Sequence, residues 1–147
     1  MKVNSTRFGE LEIEESNIIT FPSGIPGFQD ERRFFLLDYK DPIKWLHSAD
    51  SPELAFIVID PFVLFPEYEF TVLDEVESLL EIERPEGLLS LVILIFNENR
   101  LYANLKAPII VNADKMKATQ IIIDDDRYSF RALVSCSNVA FTDSVAR

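Results

Sequence analysis

The chain has 147 residues, of which 48% are hydrophobic and 12% aromatic, with twelve Phe; this suits one folded domain with a Phe-rich core and excludes intrinsic disorder. Its 25 acidic against 14 basic residues give a formal charge of −11, which repels phosphate backbones and argues against direct nucleic-acid binding. Residues 1–10 lack the basic and apolar regions of a signal peptide, and the one cysteine, Cys136, has no internal partner, so a cytoplasmic protein is expected. The apolar runs at 54–59 and 88–96 are far shorter than the ~20 residues that span a bilayer, so no membrane span is expected.

In chain order, strands are predicted at residues 7–13, 18–21, 34–37, 45–48 and 55–60, with Ser23-Gly24, Pro26-Gly27 and Asp41-Pro42 as turns between them. One helix is predicted over 72–83, with Thr71 as its cap, Asp74 three residues on, and Val76, Leu79 and Leu80 at helical spacing. Pro85-Glu86-Gly87 ends it, and further strands follow at 89–96, 101–105, 109–112 and 120–124. The fold class expected is mostly β: a single-domain antiparallel β-barrel-like fold with one short α-helix. Residues 56–59 and 91–96 are apolar at successive positions, so both faces of these strands should be covered, by the helix and the long loops or in part by a partner. The domain is expected to occupy residues 1–131, and residues 132–147 are expected to form a tail of unassigned role that is loosely ordered or differs among relatives.

Enzymatic chemistry runs short of parts. His47, the single histidine, has no second His or neighbouring Cys with which to bind zinc, and no Gly-x-Ser-x-Gly elbow presents a serine to it. Asp124-Asp125-Asp126 lacks the alternating spacing of a calcium loop and reads as a solvated turn. The four glycines form no phosphate-cradling loop, and Cys136 lacks a basic neighbour that would favour its thiolate. No catalytic residue, metal site or cofactor is therefore assigned. Two alternatives stay open beside a specific binding protein: a hydrolase with an unrecognised site, and a non-specific acidic binder of basic surfaces.

The segment Ile18-Ile19-Thr20-Phe21-Pro22-Ser23-Gly24-Ile25-Pro26-Gly27-Phe28 describes a strand running into a tight double turn, in which Gly24 and Gly27 supply positive φ and Pro26 fixes the bend. This Gly-Ile-Pro-Gly-Phe turn resembles the signature of the FliW family of flagellar assembly factors. Three further blocks resemble the family in order: 54–62 with Tyr68, 103–112, and 120–123 before Tyr128-Ser129. The similarity extends from about Phe8 to Arg131, departing at Gln29, where an acidic residue often stands, and at His47, where Gln is common. The resemblance implies a cytoplasmic partner switch that acts as a chaperone-like binder of newly made flagellin. Freed when flagellin is exported, a member binds CsrA, a small dimeric translational repressor of flagellin mRNA, and relieves that repression.

Candidate contacts are drawn from the ends of predicted elements, where binding residues concentrate. They are Pro26, Gly27 and Phe28; the Asp60, Pro61 and Phe62 corner with Phe65 and Tyr68; Glu67 and Glu69 as electrostatic contacts; and Asn104, Pro108 and Asn112 around the Ala107-Pro108 bend.

Overall fold

The computed structural model describes residues 1–134. Cys136 and the remainder of the expected tail lie outside the described residues. Strands and helices run in the order β1 (Lys2–Ser5), β2 (Gly9–Glu12), β3 (Ile19–Thr20), β4 (Arg33–Lys40), β5 (Ile43–Ser48), β6 (Ala55–Ile59), α1 (Pro61–Leu64), α2 (Asp74–Leu79), β7 (Leu88–Asn97), β8 (Arg100–Ala103), β9 (Ile109–Asn112), β10 (Lys117–Gln120) and β11 (Ala132–Val134).

Seven strands close into a ring. From β3 to β7 each strand pairs antiparallel with the next, β7 pairs with β9, β9 with β10, and β10 returns to β3. That last contact, Lys117 beside Thr20, is the one parallel pairing among the described residues. Strand β7 is long enough to serve three neighbours: its first four residues pair with β9, Val92 to Leu94 with β6, and its last four with β8. Beyond β8, β11 adds a further strand, so β8 and β11 form a wing outside the ring. The expected barrel-like, mostly β fold is what the chain adopts.

The pleat explains the continuous apolar runs. Val58, Leu91, Ile19, Phe34, Leu46, Ile109, Val111 and Ala118 fill one buried cluster to which every ring strand contributes, so this cluster is the ring's interior. The alternate residues Ile57, Ile59, Val92 and Leu94 face outward into a second cluster with Leu64, Tyr68, Leu105 and Ile123. Both faces are therefore covered at Val58–Ile59 and Leu91–Leu94, the outer one by α1 and by the loops around Tyr68 and Ile123, whereas Ile95 and Phe96 at the far end of β7 stay exposed. Full burial of each such side chain contributes roughly 1.5–3 kcal/mol. The β1–β2 hairpin covers a different outer patch, with Phe8 edge-on to Trp45 at 5.7 Å.

Several predicted elements differ in extent. The helix expected over 72–83 occupies only Asp74–Leu79; its N-cap is Leu73, with no side-chain cap from Thr71, and Glu81 at φ 54° turns the chain out of the helix. A second helix, α1, stands at the Asp60 corner: Asp60 Oδ1 accepts from Phe62 N–H at 2.8 Å and Pro61 takes the first helical position. Strand β1 was not predicted, because Val3 is its only large apolar residue; Ser5 occupies the second inward position. The strand expected at 120–124 is displaced to Lys117–Gln120, but the chain stays extended beyond it, with Ile121 N–H bonding Pro108 O at 3.0 Å and Ile123 N–H bonding Lys106 O at 2.8 Å. Strand β11 carries the sheet past Arg131 into the expected tail.

Candidate partner-binding surface

The Gly-Ile-Pro-Gly-Phe segment folds as the double turn its residues dictate. Gly24 N–H bonds Phe21 O at 2.9 Å to close the first turn, and Phe28 N–H bonds Ile25 O at 2.6 Å to close the second. Gly24 and Gly27 have φ of +69° and +88°, the left-handed values that glycine adopts without a Cβ clash. Pro26 at the second position and Gly27 at the third are the residues a type II turn demands. Ile25 is buried, whereas Pro26, Gly27 and Phe28 are exposed; Phe28 rests edge-on against Phe56 at 5.8 Å.

A second set of candidates converges around α1. Phe62 lies edge-on to Tyr68 at 5.7 Å, Tyr68 meets Phe70 at 5.5 Å and Tyr128 at 4.7 Å, and Phe65 packs against the same cluster. Asp60, Phe62, Glu67 and Glu69 are exposed on this corner, while Pro61 and Tyr68 are buried. The Tyr68 hydroxyl donates to Leu105 O at 2.7 Å, and burial pushes its phenol well above the ordinary range. Asp125 accepts from the Arg127 guanidinium at 2.8 Å and from Arg127 N–H at 2.9 Å, which holds its carboxyl down to about 2. Arg127 also approaches Glu69 at 3.6 Å, so its charge is answered by two carboxylates.

The remaining candidates serve the fold. Asn104 Oδ1 accepts from Ala107 N–H at 3.1 Å and shapes the bend before Pro108, which is buried. Asn112 is 1% exposed; its Nδ2 donates to Leu80 O at 2.9 Å and its Oδ1 accepts from Asp114 N–H at 3.1 Å, pinning the end of α2 to β9. Pro61, Tyr68, Pro108 and Asn112 thus face the interior and present no side chain to a partner. The structure separates the candidates into a Phe28 loop over the ring cluster and an α1 corner over the outer cluster.

His47 is fully buried, stacked on Phe35 at 5.2 Å. Its Nδ1 donates to Ser48 O at 2.7 Å, and its Nε2 lies 2.9 Å from Ser5 Oγ. Ser5 Oγ already accepts from the N–H groups of Arg7 and Phe8, so its one proton goes to Nε2. This Ser–His pair ties the β1–β2 hairpin to β5, and its oxygen is fully engaged. Replacing His47 with Ala would therefore test packing before it tested catalysis.

Sequence reasoning missed a groove beside the α1 corner. It is about 350 Å3 in volume, with Phe70, Leu73, Val76 and Ile122 as apolar lining and Glu69, Asp124, Asp125 and Arg127 among its polar residues. Leu73 and Ile122 are 57% and 67% exposed. The one available signal was Leu73 and Ile122 themselves, apolar residues in segments predicted as helix and strand.

The family profile described as "FliW protein" matches residues 2–134. The chain belongs to the FliW family. The flagellar assembly factor FliW of Syntrophus aciditrophicus (strain SB) is 44% identical over 135 residues, covering 89% of this chain and 85% of its own. That of Caldanaerobacter subterraneus subsp. tengcongensis is 41% identical over 133 residues, covering 87% and 89%. A crystal structure of the flagellar assembly factor FliW superimposes with a TM-score of 0.86 at 34% identity, covering 95% of this chain and all of that one. The FliW match therefore includes β11, while the Gly24–Phe28 turn and the α1 corner both lie inside it.

Proposed function

We propose that this FliW-family chain is a cytoplasmic flagellar assembly factor that acts by binding proteins rather than by catalysis. It binds flagellin and, when flagellin is exported, binds CsrA and lifts its repression of flagellin translation. The observation that carries this reading is the 44% identity over 135 residues to a protein named flagellar assembly factor FliW. The partners follow from the family resemblance, and the charge of −11 suits an RNA-binding, basic partner such as CsrA. On this chain the exposed contacts are assigned to Pro26, Gly27 and Phe28 on one loop and to Asp60, Phe62, Glu67 and Glu69 around α1.

Calorimetric titration with purified flagellin and with CsrA, followed by flagellin into the preformed CsrA complex, tests the switch. Saturable binding of both, with flagellin displacing CsrA and no binding to lysozyme, is the expected result. Equal binding to lysozyme would instead mark an acidic surface without partner preference.

A further inference from the structure

The groove beside the α1 corner is lined by two segments outside the named strands whose backbones are only partly used. On one wall, Ile121 and Ile123 spend their N–H groups on Pro108 and Lys106. Between them Ile122, directed the other way by the pleat, makes no backbone hydrogen bond among the described residues. On the other wall, the N–H groups of Phe70 and Thr71 are likewise unbonded among the described residues. An exposed extended edge with free donors and acceptors is a template for a further strand. Here it borders an apolar lining in which Leu73 and Ile122 are more than half exposed.

Charge selects the occupant. Glu69, Asp124 and Asp125 stand in the lining, and its one cation, Arg127, is already held by Asp125 and Glu69. We propose that this groove receives an extended partner segment in which apolar side chains alternate with Lys or Arg, added as a strand along Ile122. The apolar residues would cover Leu73 and Ile122 and the cations would meet the acidic lining. The inference deepens the protein-binding role proposed above and rests on it, while assigning the contact to a place that role does not specify.

A capped seven-residue peptide alternating Val and Lys, titrated into the 15N-labelled full chain, is the direct probe. Amide shifts concentrated at Phe70, Leu73 and Ile122 are expected, with at least tenfold weaker binding of a Val/Glu peptide. Ile122→Pro deletes an N–H that bonds nothing in the fold and should weaken the Val/Lys peptide at least tenfold; Ile122→Lys, at an exposed site, should do the same through charge. Equal binding of the two peptides, shifts elsewhere, or unchanged affinity in both variants would overturn the proposal. So would self-association abolished by Ile122→Lys, which would give the groove to a second copy. Flagellin and CsrA titrated against the same variants separate the two readings. Undiminished binding of both to the variants removes the groove and leaves the partner switch standing. Failure of both to bind the wild-type chain removes the switch, and the peptide alone then decides the groove.

Discussion

Tyr68 and Phe28 show how much one aromatic side chain leaves unsaid in a sequence. Both lie at predicted element ends, yet Tyr68 is 3% exposed and Phe28 41%. The difference comes from their neighbours: Leu105, far along the chain, offers Tyr68 a carbonyl inside the outer cluster, whereas Phe28 meets Phe56 edge-on and stays exposed. Residue type reports the area available to bury and is silent on what arrives to cover it. Removing the Tyr68 hydroxyl leaves the Leu105 carbonyl buried and unpaired, so Tyr68→Phe should lower stability by about 1–3 kcal/mol. Urea unfolding measures this; a midpoint unchanged from the wild type would mean that another donor takes the hydroxyl's place. His47 belongs at the same scale, since its burial depends on a hairpin whose first strand, Lys2–Ser5, carries one large apolar residue and so no visible pattern.

Elements were legible where the signal is local. The Gly-Ile-Pro-Gly-Phe turn carries its own instructions, and the two positive φ values are those its glycines imply. At Gly24 the demand is double: a Cβ there would sit 2.4 Å from Gln29 O, in a backbone conformation that already disfavours L-residues. Gly24→Ala should therefore destabilise by more than the roughly 1–2 kcal/mol of the left-handed penalty alone. Gly27→Ala, with open space around its Cβ, should cost only that penalty. Thermal unfolding of the two variants side by side tests the distinction, and equal losses would refute it. The helix at Asp74–Leu79 was legible in place but not in length, because its end depends on Asn112 of β9 binding Leu80 O and Glu81 O, a contact no window of sequence contains. Helix α1 was hidden by brevity: an Asp cap and a Pro start a turn that lasts four residues.

At the scale of the whole molecule, the apolar runs at 56–59 and 91–96 announced strands covered on both faces; the two clusters bear this out as far as Leu94, while Ile95 and Phe96 stay exposed. What the runs could not state is that β7 would be shared among three neighbours, because pairing is decided by partners distant in sequence. The charge of −11 also acts at this scale. If the relief of CsrA repression proposed above works by setting this charge beside the RNA path, its reach is limited to the Debye length, about 8 Å at physiological ionic strength. Raising salt should then weaken the inhibition of RNA binding while the protein complex persists, as read by RNA titration of the preformed complex. Inhibition constant across the series would point to a conformational route. The parallel contact that closes the ring, between Thr20 and Lys117, also sets an order in time. As the chain leaves the ribosome, β3 emerges before β4 to β9 and keeps one edge bare until β10 follows them. A chain cut short before Lys117 is therefore an open sheet with an unanswered border, the geometry that recruits other chains into aggregates.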